Sequence, residues 1–102
     1  MELALTGEPI GAERAAELGI VNRLAEPGTA LDTAIELANE IVKNAPLALI
    51  ASKEIIQKAT DWTEEEGWAK QGELSGPVFT SEDAREGATA FAEKREPVWR
   101  GR

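Results

Sequence analysis

Between residues 31 and 45 the apolar positions Leu31, Ala34, Ile35, Ala38, Ile41, Val42 and Ala45 follow the i, i+3, i+4, i+7 spacing of a helix with one apolar stripe. Thr29 or Asp32 can cap it after the Pro27-Gly28 turn. Pro46 then suits the first turn of a further helix running to about Thr60. Its apolar residues Leu47, Leu49, Ile50, Ile55 and Ile56 spread beyond one stripe, which predicts burial against two neighbours. Asp61, with Glu64 three residues on, reads as the cap of another helix. Gly67, Gly72 and Gly76 each weaken that helix by roughly 1 kcal/mol relative to Ala, and Pro77 is expected to end it. Thr80 or Ser81 caps a last helix with Ala84, Gly87, Ala88 and Phe91 as its expected inward face, stopped by Pro97. Toward the other end, Met1 to Leu5 reads as helix stopped at Gly7, and Ala12 to Leu18 as a short helix closed by Gly19. Ile20, Val21 and Leu24 predict a short strand. The expectation is mainly α: about six helices and one short strand.

Helices with two apolar faces in so short a chain cannot cover each other, so a missing partner layer, a symmetric oligomer or both are implied. A chain of 102 residues buries only roughly 60–70% of its unfolded surface, and marginal stability alone is expected. With neither Cys nor His, a disulfide framework, a thiolate or His-bound metal site and a His-based triad are excluded. No apolar run reaches membrane-spanning length and the acidic N-terminus does not resemble a targeting peptide, so a soluble cytoplasmic chain is expected. Net charge is −8, unevenly spread: residues 94–102 hold Lys94, Arg95, Arg100 and Arg102 against Glu96 alone. A small basic terminus on an acidic body argues against nucleic acid and for one phosphorylated small molecule.

Two blocks carry more specific information. Ser81-Glu82-Asp83-Ala84-Arg85-Glu86-Gly87 leads to Ala90-Phe91-Ala92-Glu93-Lys94-Arg95-Glu96-Pro97-Val98-Trp99, and near the start Leu5-Thr6-Gly7-Glu8 and Ala12-Glu13-Arg14-Ala15 precede Leu18-Gly19-Ile20-Val21-Asn22-Arg23. In order and spacing they resemble the C-terminal portion of the enoyl-CoA hydratase/isomerase, or crotonase, family, over nearly the whole chain. The resemblance implies that residues 1–28 end a spiral core of β–β–α turns. It implies that residues 29–102 form a C-terminal helical oligomerisation (trimerisation) region with a tail that contacts coenzyme A. The intact parent would be an enoyl-CoA hydratase or isomerase of fatty-acid metabolism acting on an acyl-CoA substrate, with no covalently bound cofactor. Its partners would be the missing spiral region and further copies in a trimer or hexamer. The family's oxyanion hole and acid/base carboxylates lie upstream of the matched region, so no catalytic residue is assigned here and this chain alone is expected to be inactive. Met at the first position occurs internally in that family, so Met1 is compatible with an internal residue or a secondary start.

By the same resemblance, Phe91 and Lys94 match a Phe-x-x-Lys arrangement set against the adenine and 3′-phosphate of coenzyme A, and the neighbouring charges of Arg95, Arg100 and Arg102 are candidates to assist phosphate binding. Spacing alone is also satisfied if Lys94 and Arg95 complement the helix dipole and Phe91 is core. Arg100 and Arg102 are expected in a frayed, solvated terminus, and Trp99 is expected to anchor the tail in a groove. Lys53 matches a family position but reads as a solvated or salt-bridging side chain. Glu64, Glu65 and Glu66 are explained by a helix start and not by paired-carboxylate catalysis, since consecutive helical residues diverge by about 100°. Glu64, Gln71, Gly72, Gly76 and Pro77 depart from the family pattern and put the packing of residues 62–78 in question. An acidic helical interaction module derived from the family is the alternative reading. A free-standing acyl-CoA carrier is a third, disfavoured because these helices imply no enclosed cleft.

Overall fold

The computed structural model describes all 102 residues, and six α-helices account for most of them. They are α1 (Glu2–Thr6), α2 (Ala12–Glu17), α3 (Ala30–Ile41), α4 (Pro46–Lys58), α5 (Glu64–Thr80) and α6 (Glu82–Glu93), with a single 3-10 turn at Ala59–Asp61 after α4. The chain divides into two compact units, Met1–Asn39 and Glu40–Arg102. No helix is long and apolar enough to cross a membrane.

The helix boundaries follow local chemistry. Gly7 and Gly19 take the left-handed conformation after α1 and α2, at φ 68° and 70°, as expected of residues without a Cβ. Thr29 stands just before α3, but its hydroxyl donates to the Glu26 carbonyl instead of accepting from the helix. Asn44 donates its side-chain amide to the carbonyls of Glu40 and Ile41, satisfying acceptors left open at the end of α3. Pro46 stands in the first turn of α4, where its missing N–H leaves no bond unmade.

Four sequence expectations are corrected. There is no strand: residues 20–22 form bends, and an extended segment without a neighbouring strand has nothing to bond its backbone. The cap of α5 is Thr63, not Asp61, because Thr63 and Glu66 close a reciprocal capping box. Asp61 lies instead in the 3-10 turn. Pro77 does not end α5, which continues to Thr80. The Thr80 hydroxyl donates to the Gly76 and Pro77 carbonyls in that last turn. The last helix is rotated from its expected setting: Asp83 and Ala90 are buried and Gly87 half-buried, whereas Ala88 and Phe91 face outward, Phe91 at 87% exposure.

Packing is correspondingly thin. Helices α4 and α5 pair, and α5 contacts α6, yet the only buried apolar residues are Ala51 and Ala90. One face of α4 meets α5 while Ile50 and Ile56 stay exposed, as do Leu31, Ile35 and Val42 of α3 and its following turn. The accessible surface is 8361 Å², against about 5,600 Å² for a compact folded chain of this mass, and about 6,700 Å² for two separate compact units. The excess is apolar in large part, because Trp68, Phe79, Phe91 and the aliphatic residues just named are among those left bare.

Candidate functional site

The end of α6 and the tail beyond it are tied together by hydrogen bonds between residues far apart in the chain. Ser81 starts α6 by accepting from the Ala84 N–H at 3.0 Å while donating to the Val78 carbonyl at 2.6 Å. That places Asp83 in the first turn, where a carboxylate ordinarily interacts favourably with the helix dipole. Here it does more: Oδ1 accepts from the Arg100 N–H at 2.7 Å and Oδ2 from the Gly101 N–H at 2.9 Å. The Asp83 N–H in turn donates to the Arg102 carbonyl at 3.1 Å. A carboxylate only 1% exposed is thus satisfied by two main-chain donors, the condition under which a buried charge is tolerated.

One turn along α6, Glu86 repeats the arrangement. Its carboxylate takes both terminal nitrogens of Arg95, at 2.6 and 3.1 Å, and the Val98 N–H at 2.8 Å. The Arg95 guanidinium and then the Val98 N–H hold Glu86 down to about 2. The same bond to Glu86, followed by one from Glu93, pushes Arg95 above its usual value. Tail and helix are therefore buttoned together at two carboxylates, while Trp99 donates to the Lys43 carbonyl at 2.7 Å and lays its ring over Gly87. Trp99 anchors the tail through the Lys43 carbonyl and its contact with Gly87. The frayed terminus expected for Arg100 and Arg102 is not found, because the backbone there is bonded to Asp83 and Arg102 Nε lies 3.0 Å from Glu82.

Lys94 is the turning point between helix and tail. It has φ 54° and ψ 43°, the only non-glycine residue of the chain at positive φ. Its N–H donates to Phe91 and that of Arg95 to Ala90, closing the helix with the paired bonds of a Schellman motif. Glycine is the usual occupant, and a lysine there costs about 1 kcal/mol. Its ammonium has no hydrogen-bond or ion-pair partner. Three expected site residues thus fall in different surroundings: Phe91 is bare on the outer face, Lys94 is unpaired beside it, and Arg95 is turned back onto Glu86 and Glu93. Asp83 and Glu86 stood inside the motif singled out in the sequence, but their partners lie 9 to 19 residues away. Of the remaining candidates, Glu66 is bound to the Thr63 backbone and hydroxyl, which lower its pKa, and no cluster of acidic side chains could hold a metal.

Residues 1–102 match the enoyl-CoA hydratase/isomerase family. A carnitinyl-CoA dehydratase of Escherichia coli O157:H7 is 46% identical over 99% of this chain and 40% of its own length. The crystal structure of an enoyl-CoA hydratase from Mycobacterium tuberculosis H37Rv superposes with a TM-score of 0.97 at 58% identity, over 100% of this chain and 40% of that one. A probable enoyl-CoA hydratase/isomerase from Mycobacterium abscessus gives 0.94 at 60% identity, with the same coverage. The chain spans about 40% of the length of these relatives. With all its residues inside that match, the chain belongs to the enoyl-CoA hydratase/isomerase family.

Proposed function

We propose that residues 1–102 are the C-terminal part of an acyl-CoA enzyme that, when intact, hydrates 2-enoyl-CoA thioesters in the cytoplasm. In this reading residues 1–28 end the spiral core, and residues 29–102 supply subunit contacts and one wall of the coenzyme A site. The acid, the base and the oxyanion donors come from the rest of the polypeptide. The observation that carries the proposal is the match to an enoyl-CoA hydratase over all of this chain and only 40% of that one. The bare apolar surface supports it, since large exposed apolar patches mark surfaces that other protein covers. An open apolar groove of about 260 Å³ beside Ile55, Trp62 and Trp68 belongs to that surface.

Within this reading Lys94 meets the 3′-phosphate of coenzyme A and Phe91 packs on the adenine. An unpaired ammonium and an exposed ring one turn apart supply a charge and an apolar plate. The test is a chimera in which residues 1–102 replace the matching part of the M. tuberculosis relative. It should hydrate crotonyl-CoA, with Lys94→Ala raising KM about tenfold at little cost in kcat. The 102-residue chain alone should be inactive. Hydration by that chain alone would overturn the reading. A well-assembled chimera indifferent to Lys94 and to salt would leave the acidic interaction module instead.

A further inference from the structure

Lys94 occupies a backbone conformation that favours glycine, and its neighbour Arg95 makes three side-chain bonds to carboxylates, two to Glu86 and one to Glu93. Residues held in such sparsely populated conformations persist where the surroundings over-determine them, and they cluster at functional sites. The surroundings here are named. Arg95 is clamped to Glu86 from one side of the turn, the Val98 N–H is bound to the same carboxylate, and two residues farther on Asp83 takes the N–H groups of Arg100 and Gly101. The chain leaving Lys94 is therefore fixed in direction at two points. The guanidinium beside it is neutralised by acids of its own segment, so Lys94 is left as the unpaired cation at the end of α6.

We infer that Arg95 is a positioning residue for Lys94 and not a second phosphate ligand, with Glu86 as the anchor that lets it act. This rests on the proposed contact of Lys94 with coenzyme A and says what holds that contact in place. A bidentate guanidinium–carboxylate pair fixes orientation as well as distance. A lysine on an unclamped tail would spend most of its time pointing elsewhere, and a misplaced binding group loses much of its worth. Arg95 turned toward a phosphate would have to leave Glu86, which would then lose its bidentate partner.

The test is a double-mutant cycle in the chimera described above, read with crotonyl-CoA and with crotonyl-pantetheine, which lacks the nucleotide. Arg95→Met is expected to raise KM for crotonyl-CoA about fivefold, leave kcat and the pantetheine thioester nearly unchanged, and add less than about twofold when Lys94 is already Ala. Multiplying effects of the two substitutions would show Arg95 binding on its own account and overturn the inference, while the reading of Lys94 stood. An equal loss with both thioesters would show a merely structural role and also overturn it. Absence of any effect from Lys94→Ala would remove the underlying proposal as well, a distinguishable outcome. Should Arg95→Met fail to assemble, Glu86→Gln, which keeps an acceptor for Val98 but loses the ionic clamp, is expected to show the same nucleotide-dependent, non-additive rise, and its failure to do so overturns the inference equally.

Discussion

The indole N–H of Trp99 is bonded to the main-chain carbonyl of Lys43 at 2.7 Å, joining the tail to the turn between α3 and α4 across 56 residues. The same ring presses on Gly87, where a Cβ would lie 3.1 Å from Cη2 and 3.4 Å from Cζ3. One side chain thus ties together the tail, α6 and the entry to α4.

Two substitutions separate its contributions. Trp99→Phe keeps most of the apolar area and loses the hydrogen bond, leaving the Lys43 carbonyl without this donor, for an expected cost of about 1 kcal/mol. Gly87→Ala keeps the bond's partners but pushes the ring outward, for an expected cost of about 1–3 kcal/mol despite the better helix propensity of Ala. Urea denaturation of the chimera would measure both. A stabilising Gly87→Ala would show that the ring gives way freely.

Lys94→Gly should move stability and binding in opposite directions. Relief of the positive φ is expected to stabilise the fold by about 1 kcal/mol, while the proposed phosphate contact is lost and KM for crotonyl-CoA rises. Lys94→Ala loses the contact without the gain. Midpoints of denaturation together with KM for the three proteins would check this, and identical stability of the Gly and Ala variants would contradict the strain argument.

Acid should loosen the tail at Glu86. Its folded-state pKa of about 2 lies below the ordinary 4.5, so its contribution is fully present above about pH 4.5 and is lost as pH falls toward 2. Glu86→Gln should flatten stability against pH in that window relative to the parent protein. Trp99 fluorescence followed from pH 6 to pH 2 would report the loosening, and an unchanged profile in the variant would exclude Glu86 as the group responsible.

The glycines of α5 give a test of what covers it. A Cβ at Gly67, Gly72 or Gly76 would meet nothing within 4 Å in this chain. Each Gly→Ala change should therefore raise the thermal midpoint of the isolated chain, by about 0.5–1 kcal/mol in stability. If another subunit or the spiral region approaches α5 closely at these positions, the same changes should weaken assembly, read as a shift in sedimentation. A substitution that stabilises both isolated chain and assembly would place that glycine away from any interface.

What the residues determined by themselves were the features settled within a turn or so of helix. Gly7 and Gly19 stop α1 and α2, Pro46 opens α4, and Ser81 caps α6, because each satisfies or withholds a backbone group within about four positions. The same locality produced the misplaced cap at Asp61, since both Asp61 with Glu64 and Thr63 with Glu66 have the spacing, and only the closed reciprocal bonds choose between them. The short strand was overturned for want of a partner, which Ile20 and Val21 cannot supply for themselves. The setting of α6 was decided by tertiary structure. An apolar count favours Ala84, Ala88 and Phe91 as the inward face, but the tail brings main-chain donors to Asp83 and Glu86 from residues far along the chain, and satisfied carboxylates can be buried where unsatisfied ones cannot. Hydrogen bonds spanning 9 to 56 residues leave no periodic trace in the sequence, so the clasp that holds the tail was visible only once the chain had folded back on itself.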